Sequence, residues 1–207
     1  MKISSNKEFI CWEVKMGRSR EFDEEVALHK AMELFWEQGY EKTSMGDLVD
    51  HMGIHRKSLY DTFGDKHTLY LKAIDCYKEY IQEKIKEKTL NAETSSKAIE
   101  TIFEYAIGGE KDKSLGCLLV NATTELALRD REVEEKTEES FLRTESLFAE
   151  LVRKGQQTGE FSKNFNADDL AGILHSTLLG IRVYTRTSVS KEKLHHIVDN
   201  LLAMFKN

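Results

Sequence analysis

Residues 44–66 read SMGDLVDHMGIHRKSLYDTFGDK, and this segment carries the strongest structural signal in the chain. Its first half repeats apolar side chains at helical spacing: Met45, Leu48, Val49 and Met52. Gly53 then ends the helix, because a tight helix-to-helix turn needs a residue without a Cβ penalty. A second short helix follows over roughly His55–Phe63, and Asp65 is a natural cap for a third. The pattern predicts a helix-turn-helix.

The second of these short helices keeps few residues for a core. Ile54, Leu59 and Phe63 anchor it, which leaves most of its polar side chains to face outward. Those side chains are His55, Arg56, Lys57, Ser58, Tyr60 and Thr62. Hydrogen-bond donors on an exposed helix are suited to base edges and phosphates, so we expect this helix to read the major groove of DNA.

The flanking residues support this arrangement. A longer helix is predicted from about Asp23 to Gln38, and Gly39 can end it. Ser44 is expected to cap the next helix, with Asp47 reaching back to it. Lys66 falls in the first turn of the helix that opens at Asp65, where a cation is unfavourable for the helix dipole. We therefore expect a DNA phosphate to bind Lys66 together with that helix terminus.

Composition narrows the fold class. The chain has 207 residues, no proline and 32% charged residues, which favours an all-α protein of one or two domains. The net charge is −6, but residues 1–20 and 51–72 carry an excess of lysine and arginine, whereas residues 21–50 are acidic. This distribution predicts DNA binding that is sensitive to salt and depends on dimerisation.

Other function classes find little support in the sequence. Three cysteines without a C-x-x-C motif and a start without an apolar core indicate a cytoplasmic protein, and no apolar run suggests membrane insertion. No catalytic signature is present. His51 and His55 are separated by the helix-breaking Gly53, so we expect no metal and no cofactor, and we do not expect an enzyme.

The chain resembles the DNA-binding domain of the tetracycline-repressor (TetR) family of bacterial regulators. Three segments carry the resemblance: LFWEQGYEKTS (34–44), MGIHRKSLYDTFGDK (52–66) and KHTLYLKAI (66–74). It is strong over residues 18–77 and only compositional beyond. The resemblance implies a homodimer with a helix-turn-helix at one end and a ligand-binding, dimerising helical body at the other.

On this resemblance, Thr43, Tyr60 and Lys66 match positions that hold phosphates, and the start of the reading helix matches the base-reading surface. His55 stands where the family more often has a serine or asparagine cap, so either the cap is weakened or His55 contacts DNA. The full set of expected DNA contacts is Arg18, Arg20, Thr43, Ser44, His55, Arg56, Lys57, Ser58, Tyr60, Thr62 and Lys66.

We expect three parts in the chain. Residues 1–17 form an N-terminal arm, residues 18–64 the helix-turn-helix domain, and residues 65–207 a helical regulatory and dimerisation domain that begins with a linking helix over 65–88. Polar and aromatic side chains on the apolar helices of this body could line an effector cavity: Phe103, Cys117, Asn121, Glu125, Phe141, Thr144, Phe148, His175 and Thr177. The alternative is a packed core whose polar groups are satisfied locally.

The last two predicted helices carry the clearest packing pattern. Gly172, Ser176 and Gly180 recur every four residues and permit a close helix approach. The last helix has a wide apolar face: Leu194, Ile197, Val198, Leu201 and Phe205. Two such faces from each of two chains would form a four-helix bundle and a symmetric dimer. The alternative is that both helices are buried within one chain.

These observations predict a ligand-responsive repressor that binds a palindromic double-stranded operator as a homodimer. The resemblance further implies that a small molecule in the body shifts the linking helix, so that the two reading helices no longer match the operator. Two alternatives remain. One is an effector-independent DNA-binding protein, and the other is an all-α adaptor or enzyme with an incidental helix-turn-helix.

Overall fold

The computed structural model describes residues 22–108 and 115–206. These residues form nine α-helices and contain no β-strand. The helices are α1 (Glu24–Gln38), α2 (Met45–Met52), α3 (Arg56–Phe63), α4 (Lys66–Thr89), α5 (Ser95–Gly108), α6 (Leu118–Leu126), α7 (Arg131–Thr158), α8 (Ala167–Tyr184) and α9 (Lys191–Phe205). The all-α prediction is confirmed. Residues 1–17 and the expected contacts Arg18 and Arg20 lie outside the described residues.

Side-chain caps fix where α1, α2 and α4 begin. The Asp23 carboxylate accepts hydrogen bonds from the backbone N–H groups of the first turn of α1. Ser44 and Asp47 form the predicted reciprocal capping box at α2. Asp65 accepts from the N–H of Thr68 at 2.7 Å and so begins α4. Each cap satisfies backbone donors that a helix terminus would otherwise leave unpaired.

Gly53 makes the turn between α2 and α3. Its backbone is left-handed, with φ +70° and ψ +34°, and its N–H donates to the carbonyl of Val49 at 3.0 Å. A side chain at this φ would be strained, which is why the turn requires glycine. The predicted helix-turn-helix is therefore present.

Two apolar cores hold the helices. The first core joins α1–α4 to α6 and the start of α7, and its members from those later helices are Leu118, Leu119, Ala122, Leu126 and Val133. The second core joins α5, α7, α8 and α9 around Phe103, Phe148 and Phe161. The first core continues past residue 64, because both α4 and α6 pack on α1. Thus α6 and the start of α7 share one core with α1–α4.

The last helix uses its apolar face within its own chain. Leu194, Val198 and Phe205 are buried in the second core, because α9 packs on α5. This contradicts their predicted place in a dimer interface. Ile197 and Leu201 are half-buried. For Leu194, Val198 and Phe205, the alternative prediction of burial within one chain therefore holds.

The small-residue stripe of α8 behaves differently. A Cβ placed on Gly172 or Gly180 would meet no atom within 4 Å, and Ser176 is exposed. Neighbouring apolar side chains of α8 are also exposed: Ile173, Val183 and Tyr184. None of the nine described helices covers Gly172 or Gly180.

Candidate nucleic-acid interface

The reading helix α3 has one buried and one exposed face. Leu59 and Phe63 are buried in the first core. His55, Arg56, Lys57 and Tyr60 are exposed, and Ser58 and Thr62 are half-buried. The Arg56 guanidinium lies 5.8 Å from the centre of the Tyr60 ring. The core thus fixes α3 while its other face offers several donors to a partner.

His55 occupies the N-cap position of α3 but does not act as a cap. Its backbone is extended, with φ −68° and ψ 145°, and its side chain makes no hydrogen bond to the first turn. Imidazole is a poor cap, so this agrees with a weakened helix start. The exposed ring stays available to another partner.

A cleft of about 310 Å³ lies at the start of the reading helix. It is lined by Phe22, Gly53, Ile54, His55 and Ser58. The Phe22 ring also lies 6.4 Å from the Phe63 ring. The first described residue is therefore beside the helix-turn-helix, at the surface where the reading helix begins.

Lys66 has a partner that the sequence did not reveal. Its Nζ lies 4.2 Å from the centre of the Tyr40 ring, and that ring packs against Tyr70 at 4.9 Å between centroids. A cation over an aromatic face is attracted by the ring quadrupole, which offsets the unfavourable helix dipole. Burial, followed by the charge of Glu41, raises the pKa of Tyr40, so the ring stays neutral.

Thr43 does not contact phosphate through its side chain as predicted. It is 0% exposed, and its hydroxyl donates to the carbonyl of Gly39 at 2.6 Å. A buried and already bonded hydroxyl cannot reach a ligand, so Thr43 stabilises the turn between α1 and α2 instead. Ser44 is exposed, and its hydroxyl bonds Asp47 at 2.7 Å. This bond lowers the pKa of the Asp47 carboxyl.

The contacts of Glu125 contradict the prediction that it lines an effector cavity. Its carboxylate accepts hydrogen bonds from the backbone N–H groups of Tyr40 at 3.0 Å and Glu41 at 2.9 Å. Both donors lie in the turn after α1, some 85 residues earlier in the chain. Asn121, one turn earlier on α6, donates to the carbonyl of Leu115 at 3.3 Å, and Cys117 is the N-cap residue of the same helix.

Two of the other cavity candidates, Phe141 and His175, are in ring contact at 5.6 Å between centroids. Phe103 and Phe148 stack at 5.9 Å and are fully buried in the second core, whereas Phe141 packs against the first core. The hydroxyls of Thr144 and Thr177 donate to carbonyls one turn earlier on their own helices. His175 lies 3.4 Å from Glu145. These contacts fit the alternative of a packed body with locally satisfied polar groups.

The sequence reading missed two buried donors between α1 and α4. The Nε1 of Trp36 and the hydroxyl of Tyr77 have no hydrogen-bond partner among the described residues, and their rings meet edge to face at 4.9 Å. The Tyr77 hydroxyl lies near the Cys117 thiol. Burial raises the pKa of Tyr77 well above its usual value. Tyr77 lies on the buried face of α4, and helical spacing alone gives no sign that its hydroxyl lacks a partner.

Two further properties bear on the class of protein. Within residues 22–108 and 115–206, no three His, Cys, Asp or Glu side chains are grouped to hold a metal ion. In the same part of the chain, every helix is too short or too polar to cross a bilayer.

These features define a helix-turn-helix DNA-binding protein with a helical body. The family model described as "Bacterial regulatory proteins, tetR family" matches residues 27–73. The family model described as "Tetracyclin repressor-like, C-terminal domain" matches residues 95–201. The chain belongs to the TetR family of transcriptional regulators. It is a DNA-binding regulator and not an enzyme.

Similar proteins support the same assignment over nearly the whole chain. The chain is 31% identical over 192 residues to the uncharacterized HTH-type transcriptional regulator YezE of Bacillus subtilis, covering 91% of this chain and 99% of YezE. It is 28% identical over 198 residues to the HTH-type transcriptional repressor ComR of Escherichia coli, covering 94% of each. A cysteine-substituted form of the TetR family regulator CifR, solved with a 26-base-pair operator duplex, superposes with a TM-score of 0.79 at 26% identity, covering 91% of this chain and 100% of that one.

Proposed function

We propose that this protein is a repressor that binds a palindromic operator as a homodimer in the cytoplasm. The main support for this proposal is the exposed face of α3, which presents several hydrogen-bond donors. Leu59 and Phe63 anchor α3 in the first core, and Lys66 follows Phe63 three residues later. The N-terminal donors His55, Arg56 and Lys57 would meet base edges. Tyr60 and Lys66 would bind phosphates, which set register without reading sequence.

Relatives support the repressor role. ComR carries that role in its name, as does BdcR of Escherichia coli, and the structure of a CifR variant was solved in complex with operator DNA. A repressor acts by occupying its operator, so it needs only tight binding at the correct place. Family membership leaves no room for the alternative of an adaptor or enzyme with an incidental helix-turn-helix.

The uncovered face of α8 supports the homodimer. Gly172, Ser176 and Gly180 leave open space beside the helix, and Ile173 and Val183 expose apolar surface next to them. A second copy of α8 would bury this surface and approach closely along the stripe. Two-fold symmetry would also place two reading helices on the two halves of a palindrome.

Selection of bound duplexes from random DNA with the purified protein tests this proposal. We expect a palindromic sequence, a complex of two chains per duplex, and repression of a reporter that carries the sequence over its promoter. A monomer without sequence preference, or activation of the reporter, would contradict it. Light scattering on the complex gives the stoichiometry directly.

The unpaired donors between α1 and α4 favour a response to a small molecule. Buried groups without partners cost free energy, so a ligand oxygen that accepted from Trp36 Nε1 and the Tyr77 hydroxyl would bind favourably. A ligand between α1 and α4 would bias the linking helix and thereby the reading helix. Screening of acceptor-rich metabolites by thermal shift, with Tyr77→Phe as the matched control, tests this response. If no compound alters operator binding, the protein is an effector-independent repressor.

A further inference from the structure

The carboxylate of Glu125 joins the body to the turn between α1 and α2. Its Oε2 accepts from the N–H of Tyr40 at 3.0 Å, and its Oε1 accepts from the N–H of Glu41 at 2.9 Å. Both oxygens of one charged group are therefore used on two consecutive backbone donors. Hydrogen bonds to an ionised acceptor are about twice as strong as neutral ones.

The turn is fitted closely around this carboxylate. Gly39 has φ +83°, and a Cβ at that position would lie 2.9 Å from Oε2 and 3.2 Å from Oε1 of Glu125. The N–H of Gly39 ends α1 by donating to the carbonyl of Phe35. The next two N–H groups belong to Tyr40 and Glu41, and Glu125 satisfies both of them. Glycine at position 39 thus leaves the space that the carboxylate occupies.

The same turn positions Lys66, the lysine that is predicted to bind a DNA phosphate. Tyr40, held by its backbone to Glu125, places its ring under the Nζ of Lys66. A second contact lies nearby in the fold: the Nε2 of His67 is 2.6 Å from Oδ2 of Asp130. Glu125 and Asp130 flank the corner between α6 and α7, so this corner is attached to the turn after α1 at one end and to the start of α4 at the other.

We propose that Glu125 is a positioning residue for operator binding. Its paired hydrogen bonds fix the helix-turn-helix on α6, so that the two reading helices of a dimer keep the separation of successive major grooves, about 34 Å on B-form DNA. This inference rests on the dimeric operator binding proposed above. Loss of the contact leaves α3 itself intact but lets its orientation vary between the two halves of the dimer.

The test compares Glu125→Gln with Glu134→Gln. Glutamine keeps the length of the side chain but presents an amide to one of the two backbone donors. Glu134 is exposed on α7, so its change removes the same charge without this contact. Each variant is titrated with the palindrome that the wild-type protein selects, with the same palindrome carrying one or two extra central base pairs, and with random duplex DNA.

The wild-type protein is expected to reject the longer palindromes. Glu125→Gln should bind the selected palindrome about tenfold more weakly, the cost of one charged hydrogen bond, and should lose most of its discrimination between spacings. Its binding to random duplex should stay within about twofold of wild type because phosphate contacts persist. Glu134→Gln should match wild type in all three measurements. Gly39→Ala displaces the carboxylate without removing it and should give the same loss, non-additively with Glu125→Gln.

Amide hydrogen exchange without DNA tests the hydrogen bonds of Glu125 independently of its role in operator binding. The N–H groups of Tyr40 and Glu41 should exchange at least about tenfold faster in Glu125→Gln, while those inside α1 keep wild-type protection. Unchanged exchange would overturn the contact. Faster exchange with intact spacing preference would overturn the positioning role. A wild-type protein without sequence preference would overturn the proposed operator binding and this role together, even if the amides were protected.

Discussion

The Nζ of Lys66 lies 4.2 Å from the centre of the Tyr40 ring. This pair connects a side chain at the DNA-facing end of the molecule to the turn that Glu125 holds from α6. The cation sits in the first turn of α4, where the helix dipole opposes it. The aromatic ring therefore holds in place the lysine that we propose to bind a DNA phosphate.

Replacement of Lys66 should weaken DNA binding without altering sequence preference. Lys66→Ala removes one phosphate contact, so the slope of log affinity against log salt should fall by about 1. Affinity for the selected operator and for random duplex should drop by similar factors, measured by fluorescence anisotropy at several salt concentrations. The exposed Lys163→Ala, on the connection between α7 and α8, serves as the control. A loss confined to the operator would contradict the assignment to phosphate.

Replacement of side chains at the start of α3 should change which sequence is bound. His55→Ala and Lys57→Ala each remove an exposed donor from the base-reading end. We expect discrimination at one base-pair position to fall by about 1–3 kcal/mol, measured by repeating the DNA selection with each variant. Tyr60→Phe, which removes only a predicted phosphate contact, should select the wild-type sequence. Identical selected sequences for all three variants would argue against base reading by His55 and Lys57.

Substitutions on α8 and α9 should separate dimerisation from folding. Gly180→Arg fills open space on the outer face of α8, so it should yield a folded monomer by light scattering. Leu194→Ala empties a site in the second core and should lower the free energy of unfolding by about 2–5 kcal/mol in urea titrations. A Gly180→Arg protein that remains dimeric would place the interface elsewhere.

Stability should decrease in mild acid partly because of His175. Burial lowers the pKa of His175 from 6.5, against the opposing influence of Glu145. The folded state thus disfavours the imidazolium, whereas the unfolded chain binds a proton near pH 6.5. Its contribution is present above that pH and is lost as pH falls. His175→Gln should lose less stability than wild type between pH 7.5 and 5.5, and the exposed His195→Gln should follow wild type.

Local chemistry made much of the fold readable from the sequence. Ser44, Asp47 and Asp65 cap the helices that they were predicted to cap, and Gly53 makes the predicted turn. Caps and turns depend on residues within a few positions of one another, so a linear pattern records them well. The donor face of α3 was readable for the same reason.

Contacts between distant residues were not readable. Glu125 and Tyr40 are 85 residues apart, and no spacing rule links a carboxylate on one helix to the backbone of a turn on another. The apolar pattern of α9 predicted that Leu194, Val198 and Phe205 are buried, but not which helix covers them. They were predicted to lie in a dimer interface, whereas α5 of the same chain packs against α9.

Neighbouring residues alone specify the helices, the glycine turn between α2 and α3, and the polar face of α3, so these features could be predicted from the sequence. The packing of the helices had to be known to see which apolar faces stay open, that Thr43 is buried, and that Glu125 holds the turn carrying Tyr40. Burial and long-range hydrogen bonds depend on how helices pack, and several packings satisfy the same apolar period.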